Sequence, residues 1–200
     1  MLTVYHLNES RSTRVLWLLE ELDVPYEVVR FSRDATRRAP PALAEVHPLG
    51  KSPVIRDGEL VLAESGAIVE YLVERHGGGR LAPRPDTTAW GLYLHWVHFA
   101  EGSAMLPLLM ELFMGMGLIP ADERLRGFVA AERTKQLDYV ERELGEKDYL
   151  LGAFTAADVM MGFPLELAGR QGHLAERPRL LAYVERLRAR PAYQRAQAAA

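Results

Sequence analysis

The pattern that most constrains the fold of this chain lies in residues 49–71. Two short apolar runs, at 54–55 and 60–62, are separated by Asp57 and Gly58. Glycine tolerates the positive φ that a tight hairpin turn requires. A segment with apolar residues at helical spacing follows at once. The stretch therefore predicts an antiparallel hairpin followed directly by a helix.

The start of this predicted helix is suited to a ligand that carries both charges. Ser65 is predicted as the N-cap, whose hydroxyl accepts a hydrogen bond from an early helix N–H group. A helix N-terminus has partial positive charge and binds anions, while Glu64 can bind a cation. One end of a peptide offers both partners. On spacing alone, a simple helix cap remains the stronger interpretation.

The residues before this stretch indicate a βαβ unit. Strands are predicted at 2–7 and 26–31, with an amphipathic helix between them that ends before Pro25. Strands joined by such a crossover are parallel. A Pro-interrupted loop with a short helix leads to the hairpin. The order β-α-β-α-β-β-α predicts a four-stranded mixed sheet covered by helices.

The second half of the sequence has no strand pattern. Three consecutive glycines and then Pro83 and Pro85 interrupt all periodicity. We therefore expect a first domain at 1–77, a linker at 78–86 and an all-helical domain at 87–200.

Four helices are expected in this second domain. The first covers 87–116, with a kink near Pro107, and the second begins after Asp122 as its cap. A third, strongly apolar helix follows Thr155 and Asp158, which have the spacing of a capping box. The last begins at Pro178 and ends before Pro191, after which an Ala-rich tail follows.

Composition excludes several classes of protein. The chain has no cysteine among its 200 residues, so it has no disulfide, thiolate metal site or cysteine nucleophile. The net charge of −3 indicates no general affinity for nucleic acid or membranes. No apolar run approaches the roughly 20 residues of a membrane span, and the N-terminus is too polar for a signal peptide. A cytoplasmic protein is expected.

A metal site is not expected either. His95 and His98 are three residues apart, with Glu101 beyond them, but no third histidine or HExxH motif accompanies them. We interpret both histidines as core or interface residues.

The whole arrangement resembles the cytosolic glutathione S-transferase family, of bacterial type and outside its cysteine classes. The local matches are PLGKSPVI around Pro53, AESGAIVEYL at 63–72 and FTAAD at 154–158. The resemblance implies a thioredoxin-like α/β domain followed by an all-α domain, and glutathione as co-substrate without a metal. It also implies a homodimer, and a buried capping motif at Thr155 and Asp158 that serves folding.

The resemblance also implies how glutathione is bound. Pro53 would follow a cis peptide bond, and the backbone of Ser52 would pair with the cysteinyl part of glutathione. Glu64 and Ser65 would receive the γ-glutamyl end. Lys51 would reach the glycyl carboxylate as a point charge.

The group that activates the thiol is less clearly marked. Members of the family lower the thiol pKa, ordinarily about 8.5, by a hydrogen bond from a residue after the first strand. His6 occupies the position of the tyrosine used in the tyrosine classes. Ser10 is the leading candidate and Asn8 the alternative, while another group or a backbone donor stays open. Ser10 also fits a helix N-cap.

The expected function is conjugation of the glutathione thiolate to a hydrophobic electrophile, as in detoxification. The resemblance implies that the electrophile binds against the helical domain, near Met105 and Phe113. Methionine and aromatic side chains suit a permissive apolar pocket. One alternative is a glutathione-dependent peroxidase or isomerase on the same scaffold. Another is a non-enzymatic relative that acts as a binding or regulatory protein.

Overall fold

A four-stranded mixed sheet organises the N-terminal region, as the sequence predicts. The computed structural model describes residues 1–200. The sheet order is β2-β1-β3-β4, with β1 and β2 parallel and the other pairs antiparallel. The strands are β1 (Leu2–Leu7), β2 (Tyr26–Phe31), β3 (Val54–Asp57) and β4 (Leu60–Ala63). The intervening helices are α1 (Ser12–Leu22), α2 (Ala42–Val46) and α3 (Ser65–Arg75). This confirms the thioredoxin-like order β-α-β-α-β-β-α.

The hairpin between β3 and β4 forms where Asp57 and Gly58 predict it. Asp57 pairs with Leu60, so Gly58 and Glu59 make the turn. Gly58 has a φ of +58°, which a residue with a side chain adopts only at a cost. The turn fixes the register of both strands, and with it the position of the helix that follows β4.

The remainder of the chain is helical. Its helices are α4 (Thr88–Phe99), α5 (Met105–Gly115), α6 (Glu123–Leu144), α7 (Ala156–Arg170), α8 (Pro178–Arg188) and α9 (Pro191–Ala199). None of the helices combines the length and apolar character needed to cross a membrane. The strand-free second half matches the all-α prediction.

Contacts between residues divide the chain into two units. The first unit comprises Met1–Pro83 together with Leu187–Ala200, and the second comprises Arg84–Arg186. The division differs from the expected domain limits at the C-terminus, where residues 187–200 belong with the N-terminal sheet.

The last helix explains this difference. Pro191 was expected to end the helical region, but it is the first residue of α9, where a missing N–H group costs nothing. Arg190 donates to both carboxylate oxygens of Glu21 in α1, at 2.6 and 2.8 Å. Trp17 of α1 meets Tyr193 edge to face, with ring centroids 5.2 Å apart. The Ala-rich tail is therefore a helix packed against α1.

The long helix predicted over 87–116 is irregular near Pro107, where a kink was predicted. A π-helical turn, Ala100–Ala104, joins α4 to α5, so the irregularity lies before Pro107 rather than at it. A proline lacks an N–H group and its ring clashes with the carbonyl group four residues earlier, at Ser103. The wider π turn at this carbonyl accommodates the proline ring.

The predicted capping box at the start of α7 is confirmed, and it is buried. One carboxylate oxygen of Asp158 accepts from Thr155 N and Thr155 Oγ1 at 2.8 and 3.1 Å. The other accepts from Leu150 N at 3.0 Å and from the Tyr183 hydroxyl at 2.6 Å. Burial raises the pKa of Asp158, while these hydrogen bonds oppose the rise. The carboxylate thus joins three segments of the second unit.

Removal of this carboxylate is expected to destabilise the fold far more than removal of an exposed cap. Asp158→Ala leaves four donors without their acceptor, at roughly 1–3 kcal/mol each. The free energy of unfolding should fall by about 3 kcal/mol or more. Asp122, which accepts from Leu125 N at the exposed start of α6, is the matched control. Asp122→Ala should cost about 1 kcal/mol.

Urea denaturation of both variants, followed by circular dichroism, measures these losses. Equal losses for Asp158→Ala and Asp122→Ala would contradict a structural role for the buried carboxylate.

Candidate functional site

Three connections lie at the same end of the sheet strands: the one after β1, the one before β3 and the one from β4 to α3. Tyr5 in β1 pairs with Val54 in β3, and Val54 pairs with Ala63 in β4, so these residues form one row across the sheet. β1 and β4 end near this row, and β3 begins there. Because neighbouring strands are about 4.8 Å apart, the row spans roughly 10 Å, close to the length of an extended tripeptide.

This part of the sheet is called the ligand edge below, and it comprises residues 8–11, 51–53 and 64–65. Every residue predicted to bind glutathione or to activate its thiol lies in one of these three connections: Asn8, Ser10, Lys51, Ser52, Pro53, Glu64 and Ser65. The register of the sheet thus brings together residues that are as far as 57 positions apart in the sequence.

The loop before β3 has the geometry that the resemblance implies. The Ser52–Pro53 peptide bond is cis. Ser52 Oγ donates to the backbone carbonyl oxygen of Tyr5 at 3.0 Å, which ties the loop to β1. The backbone N–H and C=O groups of Ser52 make no hydrogen bond within the protein. Lys51 precedes them and is exposed. The loop therefore presents a backbone donor and a backbone acceptor of Ser52, neither paired within the protein, next to the Lys51 cation.

The start of α3 differs from its predicted form. α3 begins at Ser65 itself, and Glu64 occupies the N-cap position. The Glu64 carbonyl oxygen accepts from Ile68 N at 2.9 Å, but no side chain caps the helix. The prediction of Ser65 as the N-cap is therefore wrong, because the helix starts one residue earlier than a serine cap requires. Because no side chain caps α3, the interpretation of Glu64 and Ser65 as a simple helix cap also loses its support.

Glu64 also has an unusual backbone conformation. Its φ of +73° and ψ of +119° lie in a region that residues with a side chain rarely adopt. Such a conformation costs of order 1–3 kcal/mol and is found most often where a protein holds a ligand. The side chain of Glu64 is exposed, whereas Ser65 is buried. The backbone is therefore strained at Glu64, where the chain turns from β4 into α3.

Ser10 lies in a buried hydrogen-bonded group at the start of α1. The helix begins at Ser12, and the N-cap position belongs to Arg11 rather than Ser10. Ser10 Oγ accepts from Ser12 N at 3.3 Å and lies 2.8 Å from Ser12 Oγ. Ser10 is 5% exposed and Ser12 is fully buried. Of these two serine residues, only Ser10 has any exposed surface.

His6 completes this group from β1. Its Nδ1 lies 2.9 Å from Ser12 Oγ. Burial lowers the pKa of His6, and Arg30, its neighbour in β2, lowers it further. The imidazole is therefore neutral at pH 7. The sequence analysis did not identify Ser12, and it treated His6 only as a missing tyrosine. A histidine on the apolar face of β1, followed by a hydroxyl residue at the next helix start, was the available signal.

Asn8 is held on the other side of β1. Its side-chain oxygen accepts from Arg33 N at 2.8 Å, and its backbone oxygen accepts from Arg33 Nε at 3.2 Å. Its backbone N–H donates to Phe31 O at the end of β2. These contacts direct Asn8 toward the connection after β2, whereas the Ser52 loop lies beside β3.

Met105 and Phe113 lie in the second unit and are not brought into contact. Met105 is buried at the start of α5, and Phe113 is exposed near its end. They are eight positions apart along the helix, or about 12 Å along its axis.

Another part of the second unit contains an open cavity of about 1030 Å³. Its lining residues include His95, Phe99, Thr134, Tyr139 and Arg142. His95 Nε2 is hydrogen-bonded to the Tyr139 hydroxyl at 2.9 Å. No group of three or more potential ligands in the protein is arranged to hold a metal ion.

Comparison with known proteins relates this geometry to one family. Residues 1–74 match the family described as glutathione S-transferase, N-terminal domain. Glutathione S-transferase 3 of Schizosaccharomyces pombe is 37% identical over 192 residues, which cover 89% of this chain and 78% of that protein. Glutathione S-transferase 1 of Saccharomyces cerevisiae is 32% identical over 189 residues, covering 84% and 81%.

Solved structures agree with these relatives. A glutathione S-transferase from Actinobacillus pleuropneumoniae superposes with a TM-score of 0.90 at 31% identity, covering 99% of this chain and 92% of that one. A glutathione transferase family member from Pseudomonas fluorescens, solved with two glutathione bound, has a TM-score of 0.85 at 26% identity, covering 98% and 91%. Relatives of 32–37% identity cover more than four fifths of this chain, and the sheet has the expected order, so the chain belongs to the glutathione S-transferase family.

Proposed function

We propose that this protein binds glutathione along the ligand edge and transfers its thiolate to a hydrophobic electrophile. The observation that carries the proposal is the register that sets Ser10, the Ser52 loop and the start of α3 side by side. The glutathione bound to the relative from Pseudomonas fluorescens supports the choice of ligand.

Each part of glutathione has a partner of matching chemistry at this edge. The backbone of Ser52 pairs with the cysteinyl residue as one strand edge pairs with another. The first N–H groups of α3 and the Ser65 hydroxyl receive the γ-glutamyl carboxylate, and Glu64 receives the ammonium group. Lys51 neutralises the glycyl carboxylate. Pro53 fixes the loop that presents these groups.

Ser10 is the proposed activating residue. A hydroxyl group that donates to sulfur stabilises the thiolate over the thiol, so the thiol pKa falls from about 8.5 toward neutral pH. Ser10 lies on the α1 side of the edge, whereas the contacts of Asn8 direct it toward β2. The thiol proton passes to solvent, and the thiolate attacks the electrophilic carbon. The new C–S bond replaces the bond to a leaving group, such as the halide of an aryl halide, and no covalent bond to the enzyme forms. Proximity of the two substrates supplies the remaining rate enhancement.

The second substrate and the assembly follow from the same proposal. Met105 and Phe113 stay the proposed contacts of the electrophile. The protein is proposed to act in the cytoplasm as a homodimer, which is consistent with large apolar side chains exposed on the helical unit, such as Leu92 and Phe128. Parallel assays with aryl halides, hydroperoxides and isomerisable substrates distinguish conjugation from peroxidase or isomerase activity of the same bound thiolate.

Loss of the Ser10 hydroxyl should raise the pKa of bound glutathione. A hydrogen bond to a charged group contributes about 1.5–3 kcal/mol, so Ser10→Ala should raise the thiol pKa by about 1–2 units. Catalytic turnover with an aryl halide at pH 7 should fall roughly 10- to 100-fold. Asn8→Ala is the control and should change neither quantity. The ultraviolet absorbance of the thiolate, titrated against pH, measures the effect.

An unchanged thiol pKa in Ser10→Ala would exclude Ser10 as the donor. A raised pKa in Asn8→Ala alone would transfer the role to Asn8.

The charge and the strain at Glu64 should have separable effects. Glu64→Gln keeps the backbone but removes the charge, so calorimetry should show glutathione binding weakened about 10-fold, or 1.4 kcal/mol. Glu64→Gly should weaken binding similarly while raising the free energy of unfolding by roughly 1–3 kcal/mol, because glycine adopts positive φ without strain. Glu59→Gln, in the exposed hairpin turn, should change neither.

The absence of any binding by the unmodified protein at about 1 mM glutathione would contradict the enzyme proposal and favour a non-enzymatic role. Normal affinity in Glu64→Gln would exclude Glu64 from the site.

A further inference from the structure

We propose that His6 and Ser12 are positioning residues that set the direction in which the Ser10 hydroxyl donates. The three side chains are called the hydroxyl relay below. In it, His6 Nδ1–H donates to Ser12 Oγ, Ser12 donates to Ser10 Oγ, and the Ser10 proton remains for the glutathione thiolate. This inference rests on the proposed function of Ser10.

The contacts of Ser12 Oγ are the basis of the inference. It lies 2.9 Å from His6 Nδ1 and 2.8 Å from Ser10 Oγ. It also accepts from Leu7 N and faces Leu7 O, each at 3.3 Å. A serine hydroxyl has one proton and two acceptor lone pairs. Ser12 Oγ therefore has four neighbouring groups but can make only three hydrogen bonds. The ring nitrogen of His6 that carries the proton decides which of these hydrogen bonds form.

With the proton on His6 Nδ1, the order of donors is fixed. Ser12 Oγ accepts from His6 Nδ1 and from Leu7 N, so both of its lone pairs are used. Its own proton goes to the nearest remaining acceptor, Ser10 Oγ at 2.8 Å, rather than to the longer contact with Leu7 O. Ser10 Oγ then accepts from Ser12 Oγ and Ser12 N. Its proton is left for a ligand.

With the proton on His6 Nε2 instead, the direction reverses. Nδ1 becomes an acceptor and takes the Ser12 proton. Ser12 Oγ must then accept from Ser10, which uses the only proton of Ser10 inside the protein. Toward a ligand, Ser10 would offer a lone pair, which repels a thiolate. The tautomer of His6 therefore determines whether Ser10 can stabilise the thiolate.

The surroundings of His6 favour the first arrangement. Its Nδ1 has Ser12 Oγ as a partner, whereas Nε2 has no hydrogen bond within the protein. A proton on Nδ1 has Ser12 Oγ as its acceptor, whereas a proton on Nε2 has no acceptor within the protein. The proton is thus better placed on Nδ1. Burial and Arg30 lower the pKa of His6, so the neutral ring, for which the tautomer matters, is the form at pH 7.

The experiment compares two amides at position 6 by the thiol pKa of bound glutathione. An asparagine amide reaches the place of Nδ1, whereas a glutamine amide reaches that of Nε2. His6→Gln should raise the thiol pKa by about one unit, and His6→Asn should keep it near the value of the unmodified protein. Ser12→Ala removes the only protein acceptor of the Ser10 proton, so it should raise the thiol pKa less than His6→Gln does. Binding of S-methylglutathione, which has no thiol, should remain within about twofold in each variant.

Different results separate the relay from the proposed function. If Ser10→Ala raises the thiol pKa but His6→Gln does not, or if Ser12→Ala raises it more than His6→Gln, the relay is wrong and Ser10 remains the donor. If Ser10→Ala has no effect, Ser10 is not the donor and the relay falls with it. Equal thiol pKa values in His6→Asn and His6→Gln, both raised, would indicate a packing role for His6 and would overturn the relay.

A measurement on the unmodified protein does not depend on how the variants fold. Nitrogen-15 NMR of the histidine side chains distinguishes a protonated from an unprotonated ring nitrogen. At pH 7 with glutathione bound, His6 should carry its proton on Nδ1. A proton on Nε2 alone would overturn the relay.

Discussion

The pairing of β3 with β1 on one side and with β4 on the other is the constraint on which the site depends. It sets Tyr5, Val54 and Ala63 in one row, and each connection at the ligand edge starts or ends beside that row. A shift of one residue in either pair would turn every side chain of a strand to the opposite face. The Gly58–Glu59 turn and the buried side chains of Val54 and Ile55 hold this register.

At the same edge, the backbone rather than a side chain supplies two features of the proposed ligand site. The backbone N–H and C=O groups of Ser52 make no hydrogen bond with another residue, and no side chain caps the start of α3. Unsatisfied backbone groups at a surface are costly only if they are buried from water. The strain at Glu64 fits this arrangement, since it positions the helix start at a cost in stability.

Sequence patterns predicted the regular elements well, because alternating apolar residues and turn glycines act locally. β1, β2 and the hairpin form where the periodicity indicated. The start of α3 was predicted incorrectly, since no local rule gives a glutamate a positive φ. α9 was missed because Pro191 serves equally well as a stop and as a first helical residue, and contacts with α1 decide between them. His6 and Ser12 belong to different elements, so their contact appears only once the strand and helix are packed.

The central claim is that glutathione lies along the ligand edge with its sulfur at Ser10. A crystal structure of the protein with bound glutathione tests this most directly. We expect the cysteinyl backbone to pair with Ser52, the γ-glutamyl group to lie at Glu64 and Ser65, and the sulfur to lie within hydrogen-bond distance of Ser10 Oγ. A sulfur atom next to Asn8 and out of reach of Ser10, or glutathione bound away from this edge, would contradict the account.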